Sequence, residues 1–323
     1  MTTLPALVPV ALPLAIVERL EAYSHDARNT MADETVRALR KALTAFTAWA
    51  ADKGITPLPA VPATVAAYVD DLAIAKRAPA GIRQGVWAIS KMHRAAGLDD
   101  PAKAEVVKLA VQCMARDPSV AGRQRQAAPL VDDDVRMAIR AAGPAPSLSL
   151  QRDLALMMVM RDLLARRSEA VALDVEHVAF AKDGSATVLI ARSKTDQEGQ
   201  GAVRWLSPRT VTHLRRWLAG ASITTGPVFC AVNKAGAVGE RLTVRDVPRI
   251  LKRLAALAGI DASGISGHSC RVGMAQDLAA EGAELPAIMQ AGRWKSPEMP
   301  ARYAERMIAG RGAVAKFYEG RRD

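Results

Sequence analysis

Five side chains able to do chemistry stand in one order along the chain. They are Arg166 in LLARRSEAVAL (163–173), Lys194 in ARSKTD (191–196), His268 and Arg271 in GHSCR (267–271), and Tyr303 in PARYAE (300–305). Taken singly, each has an ordinary reading: a surface guanidinium, a satisfied imidazole, a packed phenol. Together they suit attack on a phosphodiester. The transition state of phosphoryl transfer spreads negative charge over non-bridging oxygens, which guanidinium forks match bidentately. A phenolic oxygen can serve as a covalent nucleophile and split the transfer into two easier steps. The leaving 5′-oxygen needs a proton, a task that suits a mobile lysine on a loop. No acidic cluster that would hold catalytic magnesium accompanies the set, so the expected chemistry uses no metal and no cofactor.

These residues must be positioned by their elements. His268 and Arg271, three apart at a helix start, share a face. Ser296 is placed to cap the next helix, with Pro297 at its first position, Glu298 in its first turn and Tyr303 about two turns in. Arg166 lies three before Glu169 at the end of an apolar helical stretch, and Lys194 lies in the loop of a hairpin whose strands are SATVLIA and GAVRWLS. Further helices are expected over 209–219 and 243–258. Towards the N-terminus, Val36, Leu39, Leu43, Phe46 and Trp49 recur at three- and four-residue steps, predicting a helix over 32–53 that stops at Gly54. Helices are also expected over 62–74, 80–97 and 101–117. The reading is mainly α with a small β component: an all-helical N-terminal domain over 20–117, a linker over 118–130 and a mixed α+β domain over 131–323. Residues 1–19 read as a flexible arm, because prolines interrupt their apolar run and no basic segment leads it.

Composition narrows the partner. The 323 residues carry 44 Lys and Arg against 33 Asp and Glu, a net charge of +11, which favours a polyanion whose counterions are released on binding. No apolar run approaches the ~20 residues of a membrane span. Cys113, Cys230 and Cys270 lie far apart without a CxxC pair, which argues against a zinc ribbon or a disulfide framework and for a reducing cytoplasm.

The order Arg…Lys…His-x-x-Arg…Trp…Tyr, spread over about 140 positions, resembles the tyrosine recombinase (phage integrase) family, and the resemblance extends over nearly the whole chain. It implies a site-specific DNA recombinase with a helical core-binding domain and an α+β catalytic domain. Arg166 and Arg271 would clamp the scissile phosphate, the R-x-x-E spacing selecting Arg166 over its neighbour Arg167. Glu169 would support the first arginine, Lys194 would protonate the 5′-oxygen, and His268 would assist proton transfer. Trp294 would stand where other members often carry a second histidine. Tyr303, nine residues beyond Trp294, would form the 3′-phosphotyrosine link, leaving Tyr318 to a terminal helix over 311–319 that docks on a neighbouring protomer. The implied partners are double-stranded DNA with an inverted-repeat site and three further copies of the chain, acting through a Holliday junction without a small-molecule ligand, in the bacterial nucleoid. Arg83, Gln84, Lys91 and Arg94 on the helix over 80–97, and Arg245, would face the DNA, with Arg123 and Arg125 in the linker touching backbone. Without a further arm-binding domain before residue 20, a simple system is favoured over an integrase that needs accessory proteins or a chromosome resolvase. A DNA-binding regulator that has lost catalysis is the alternative from another class, and the complete residue set speaks against it.

Overall fold

Apolar residues at helical spacing, with few strand formers between them, fold this chain into helices for most of its length. The computed structural model describes residues 12–120, 126–191, 201–309 and 317–318. It comprises two compact units, Met1–Gln124 and Arg125–Asp323.

The first unit consists of α1 (Leu14–Thr30), α2 (Asp33–Asp52), α3 (Pro62–Ile74), α4 (Pro79–Ala95), a single 3-10 turn (Pro101–Lys103) and α5 (Glu105–Arg116). Its core is built around Phe46 and Tyr68, whose rings meet edge-on at 5.1 Å between centroids, with Val65, Val69, Ile82, Ile89 and Val107 packed on them. His93 of α4 is buried; its Nε2 accepts the Ala60 N–H at 2.8 Å and its Nδ1 donates to the Ile89 carbonyl at 2.8 Å, so it is a structural group. α4 ends where Gly97, at φ 71°, takes the left-handed slot of a Schellman motif, with the Leu98 N–H reaching the His93 carbonyl. Two expectations change here. α1 begins at Leu14, inside the stretch read as a flexible arm, because beyond Pro13 the half-buried Ile16, Val17 and Leu20 supply a helical stripe. The helix expected from 101 is split, because Asp100 caps a separate 3-10 turn and Ala104 is extended.

The second unit is organised around α7 (Leu148–Asp162), which is buried on every side from Arg152 to Arg161. α6 (Asp132–Ala142), α9 (Pro208–Gly220), α10 (Asp246–Leu257) and α11 (Ser269–Ala280) pack about it or one another. A three-stranded antiparallel sheet, β1 (Val178–Phe180), β2 (Ala186–Ile190) and β3 (Ala202–Leu206), pairs Val188 with Val178 on one side and Arg204 on the other. β2 alternates strictly: Ala186, Val188 and Ile190 face the core while Thr187 and Leu189 face outward. A second hairpin, β4 (Cys230–Val232) with β5 (Val238–Arg241), was not expected from the sequence, nor was β1. Two buried charge clusters are paired. Asp153 receives Arg152 at 2.7 Å and Arg253 at 3.1 Å, and Arg161 binds Asp277 at 2.5 Å and the Leu130 carbonyl.

The apolar helical stretch expected to end at Arg166 and Glu169 is broken before it reaches them. α7 closes in a Schellman motif with Leu164 in its left-handed position, the Ala165 N–H bonding to the Met160 carbonyl, and a short α8 (Arg167–Val171) follows. This break brings Arg166 out of the helical run. Two more helices, α12 (Leu285–Gly292) and α13 (Glu298–Ala309), complete the unit. Among the described residues, no helix is long and apolar enough to cross a membrane.

Candidate active site

Arg166 occupies the N-cap of α8 and Glu169 its third position, so the Glu169 carboxylate can turn back on the cap. Its Oε2 accepts the Arg166 backbone N–H at 2.9 Å and its Oε1 accepts the Arg166 guanidinium at 2.7 Å. Arg167, one residue on, is exposed. Of the two adjacent arginines, Arg166 is the one bonded to Glu169.

Arg271 lies in the first turn of α11 and is 2 % exposed. One of its terminal nitrogens donates to the Leu164 carbonyl at 2.5 Å, and the other donates to the Gly292 carbonyl. Its guanidinium carbon lies 4.1 Å from the centroid of the Trp294 ring, a cation–π contact. Burial, together with the neighbouring Arg166 charge, lowers its pKa to about 10, so it remains a cation at neutral pH.

Trp294 in turn meets the Tyr303 ring edge-on at 5.9 Å. Gly292 makes room for it: a Cβ there would fall 1.9 Å from the Trp294 ring. α13 begins at Glu298 and the Pro297 carbonyl takes its first helical bond, so the helix starts one residue later than expected. Burial pushes the Tyr303 phenol above its ordinary pKa, while Arg271, Arg302 and Arg166 pull it back by favouring the phenolate. Among the described tyrosines, Tyr68 is locked in the core of the first unit and Tyr318 is exposed.

His268 is the N-cap residue of α11. Much of its surface faces solvent, yet the ring is crowded by protein. Desolvation, then the charges of Arg271, Arg167 and Arg166, holds its pKa below the ordinary imidazole value. A neutral imidazole beside three guanidiniums can accept a proton.

One participant was missed by the sequence reading. Arg293 donates from Nη2 to Glu169 Oε2 at 2.7 Å and has a side chain only 9 % exposed, so Glu169 binds two guanidiniums. Arg293 holds the left-handed slot of the Schellman motif that ends α12, at φ 57° and ψ 44°, with the Trp294 N–H bonded to the Met289 carbonyl. Of the four non-glycine residues with positive φ among the described residues, two, Leu164 and Arg293, flank this site. Each costs about 1 kcal/mol relative to glycine, and backbone strain of this kind concentrates at functional sites. The available signal was an arginine where a helix end calls for glycine.

Of the residues expected to reach DNA, Arg83, Gln84 and Arg94 are exposed and Lys91 partly so. All four fall within about 100° of arc around α4. Arg245 is exposed at the N-cap of α10. Lys194, Arg123 and Arg125 lie outside the described residues, as does the expected helix over 311–319 apart from Phe317 and Tyr318.

Guanidiniums gathered beside a phenol are a constitution that suits phosphoryl transfer through tyrosine. Residues 132–307 match the phage integrase family. The chain is 32% identical over 306 residues to an integrase/recombinase xerD homolog of Selenomonas ruminantium, covering 90% of this chain and 88% of that protein. It is 26% identical over 310 residues to the recombinase cre of Escherichia phage P1, covering 90% of each. In fold it is similar to a lambda integrase dimer bound to a core site, with a TM-score of 0.59 at 15% identity, covering 89% of this chain and 94% of that one. The chain belongs to the phage integrase family and is a site-specific tyrosine recombinase, an enzyme that cleaves and rejoins DNA strands.

Proposed function

We propose that Tyr303 attacks a scissile phosphate held by Arg166 and Arg271, forming a 3′-phosphotyrosine link and freeing a 5′-hydroxyl. The contiguous stack of Arg271, Trp294 and Tyr303 carries the reading, because it fixes a buried cation and the phenol on one indole ring. His268, kept neutral by its surroundings, takes the phenolic proton, and Lys194 gives one to the 5′-oxygen. The freed hydroxyl of a second strand then attacks the phosphotyrosine. The bond energy is conserved and no nucleotide is consumed.

The exposed cationic arc of α4 and Arg245 at the start of α10 contact the DNA duplex, each protomer at one arm of an inverted repeat. Four protomers join two such sites through a Holliday junction. An outward face of β2 and β3 supports assembly: Leu189, Val203 and Trp205 are exposed there at 42%, 60% and 56%, a cluster that an isolated soluble surface seldom shows. The helix over 311–319 docks on a neighbouring protomer.

The test uses a nicked suicide duplex carrying a site recovered by binding selection from random-sequence DNA. The wild-type chain is expected to form a covalent adduct, and Tyr303→Phe to bind the same DNA without one. An adduct with Tyr303→Phe would move the nucleophile elsewhere.

A further inference from the structure

We infer that Arg293 is a positioning residue for strand cleavage, acting on Arg166 through the carboxylate of Glu169. The inference rests on the assignment of Arg166 to the scissile phosphate.

Glu169 is 2 % exposed in its side chain and has three bonds to place. Oε1 goes to the Arg166 guanidinium, while Oε2 takes the Arg166 backbone N–H and Arg293 Nη2. With Arg166 as its sole cation, Glu169 would neutralise the guanidinium that has to meet a phosphate. With two cations on one carboxylate, the trio keeps a net positive charge, and Arg166 is held in place without being cancelled. The Arg293 Nε and Nη1 atoms are buried with no hydrogen-bond partner among the described residues, so Glu169 is the partner that the described structure gives this guanidinium. Arg204 of β3 lies within electrostatic reach and raises the positive density further.

The backbone makes the second argument independently. Position 293 is a left-handed helix cap, where glycine fits without strain, yet it carries a long charged side chain that reaches inward. A residue that breaks a local rule while reaching into the active site answers to the site rather than to the helix.

Arg293→Gly is the direct test, since glycine accepts φ 57° without strain and removes the whole side chain with its guanidinium. Arg293→Lys keeps the charge but not the planar fork. Binding to the selected site and single-turnover adduct formation are measured on two nicked duplexes, one with the natural scissile phosphate and one with an uncharged methylphosphonate there. Arg293→Gly should bind like the wild type but form adduct roughly ten- to a hundredfold more slowly on the phosphate, the scale on which outer-shell partners of metal ligands act. That deficit should shrink on the methylphosphonate, which lacks the charge that Arg166 meets, and Arg293→Lys should fall between. Wild-type rates for Arg293→Gly, or an equal deficit on both duplexes, would overturn the inference, the latter marking a packing role. If Arg293→Gly fails to fold, the same ratio read on Arg293→Lys decides. A wild type that forms no adduct fails at an earlier step and removes the assignment of Arg166 and Tyr303 itself.

Discussion

Replacing Glu169 by glutamine keeps the shape of the side chain and removes only its charge and one acceptor. The carboxylate serves three donors, at 2.9, 2.7 and 2.7 Å. An amide oxygen placed at the Oε2 position still serves the Arg166 N–H and Arg293, but its NH2 then confronts the Arg166 guanidinium, donor against donor. The opposite flip leaves two donors facing the NH2 group, so the first orientation is the better one. The loss is then one hydrogen bond to a charged group, about 1.5–3 kcal/mol, plus the attraction that offset two largely buried cations. Deleting one partner of a buried pair costs about 3–5 kcal/mol. The Arg166 side chain, 19 % exposed, recovers part of its hydration. The lower end applies, and Glu169→Gln should destabilise the second unit by about 3 kcal/mol. For a unit of this size that lowers the midpoint of its thermal transition by about 6–12 °C. Calorimetry on the DNA-free protein, resolving the transitions of the two units, measures it. A midpoint within about 2 °C of the wild type would show that the Arg166–Glu169–Arg293 bridge contributes little to folding.

Other perturbations reach different parts of the molecule. Gly273→Ala places a Cβ 1.9 Å from the Leu130 carbonyl oxygen, so the first turn of α11 must shift; a loss of about 1–3 kcal/mol is expected in denaturant unfolding. Lys194→Ala should slow adduct formation on an ordinary duplex and recover when a 5′-bridging sulfur makes the leaving group labile, compared in the same gel assay. His268 has a folded pKa below its unfolded value. Its contribution to stability is therefore complete above the ordinary imidazole pKa near ~6.5 and is lost as pH falls through the lower folded value. Adduct formation should accordingly hold its rate below pH ~6.5 before declining, and a single-turnover profile of His268→Gln should lack that acid limb. On the proposed DNA contact of α4, Arg83→Ala should flatten the dependence of log affinity on log salt by about one unit where Arg83 meets a phosphate, read by titrations at several salt concentrations.

How much of this was legible in the sequence depended on whether a local signal existed. Val36, Leu39, Phe46 and Trp49 repeat at helical spacing, and α2 runs where that spacing places it. β2 and β3 were legible because alternation and a polar loop announce a hairpin, whereas β1 is three residues long and β5 reads Val-Gly-Glu-Arg, too short and polar to signal a strand. The break after α7 was hidden for a different reason. A helix buried on every side has no polar face whose end could be seen, and Leu164 is no recognised helix stop. Arg166, His268, Arg271 and Tyr303 were singled out by type and order, and Glu169 as the support of Arg166, but Arg293 and the two carbonyls that hold Arg271 were not. Arg293 binds a carboxylate 124 positions away, and no local pattern encodes a bond over such a distance.

The two carbonyls that accept from Arg271 belong to Leu164, at the end of α7, and to Gly292, at the end of α12. The cation proposed to meet the phosphate is thus also the pin that fastens two helix ends together. A descendant of this enzyme that gave up recombination to become a DNA-binding repressor could lose Tyr303 at small structural cost. It would keep Arg271, and in such a lineage a retained arginine would record the architecture long after the chemistry had gone.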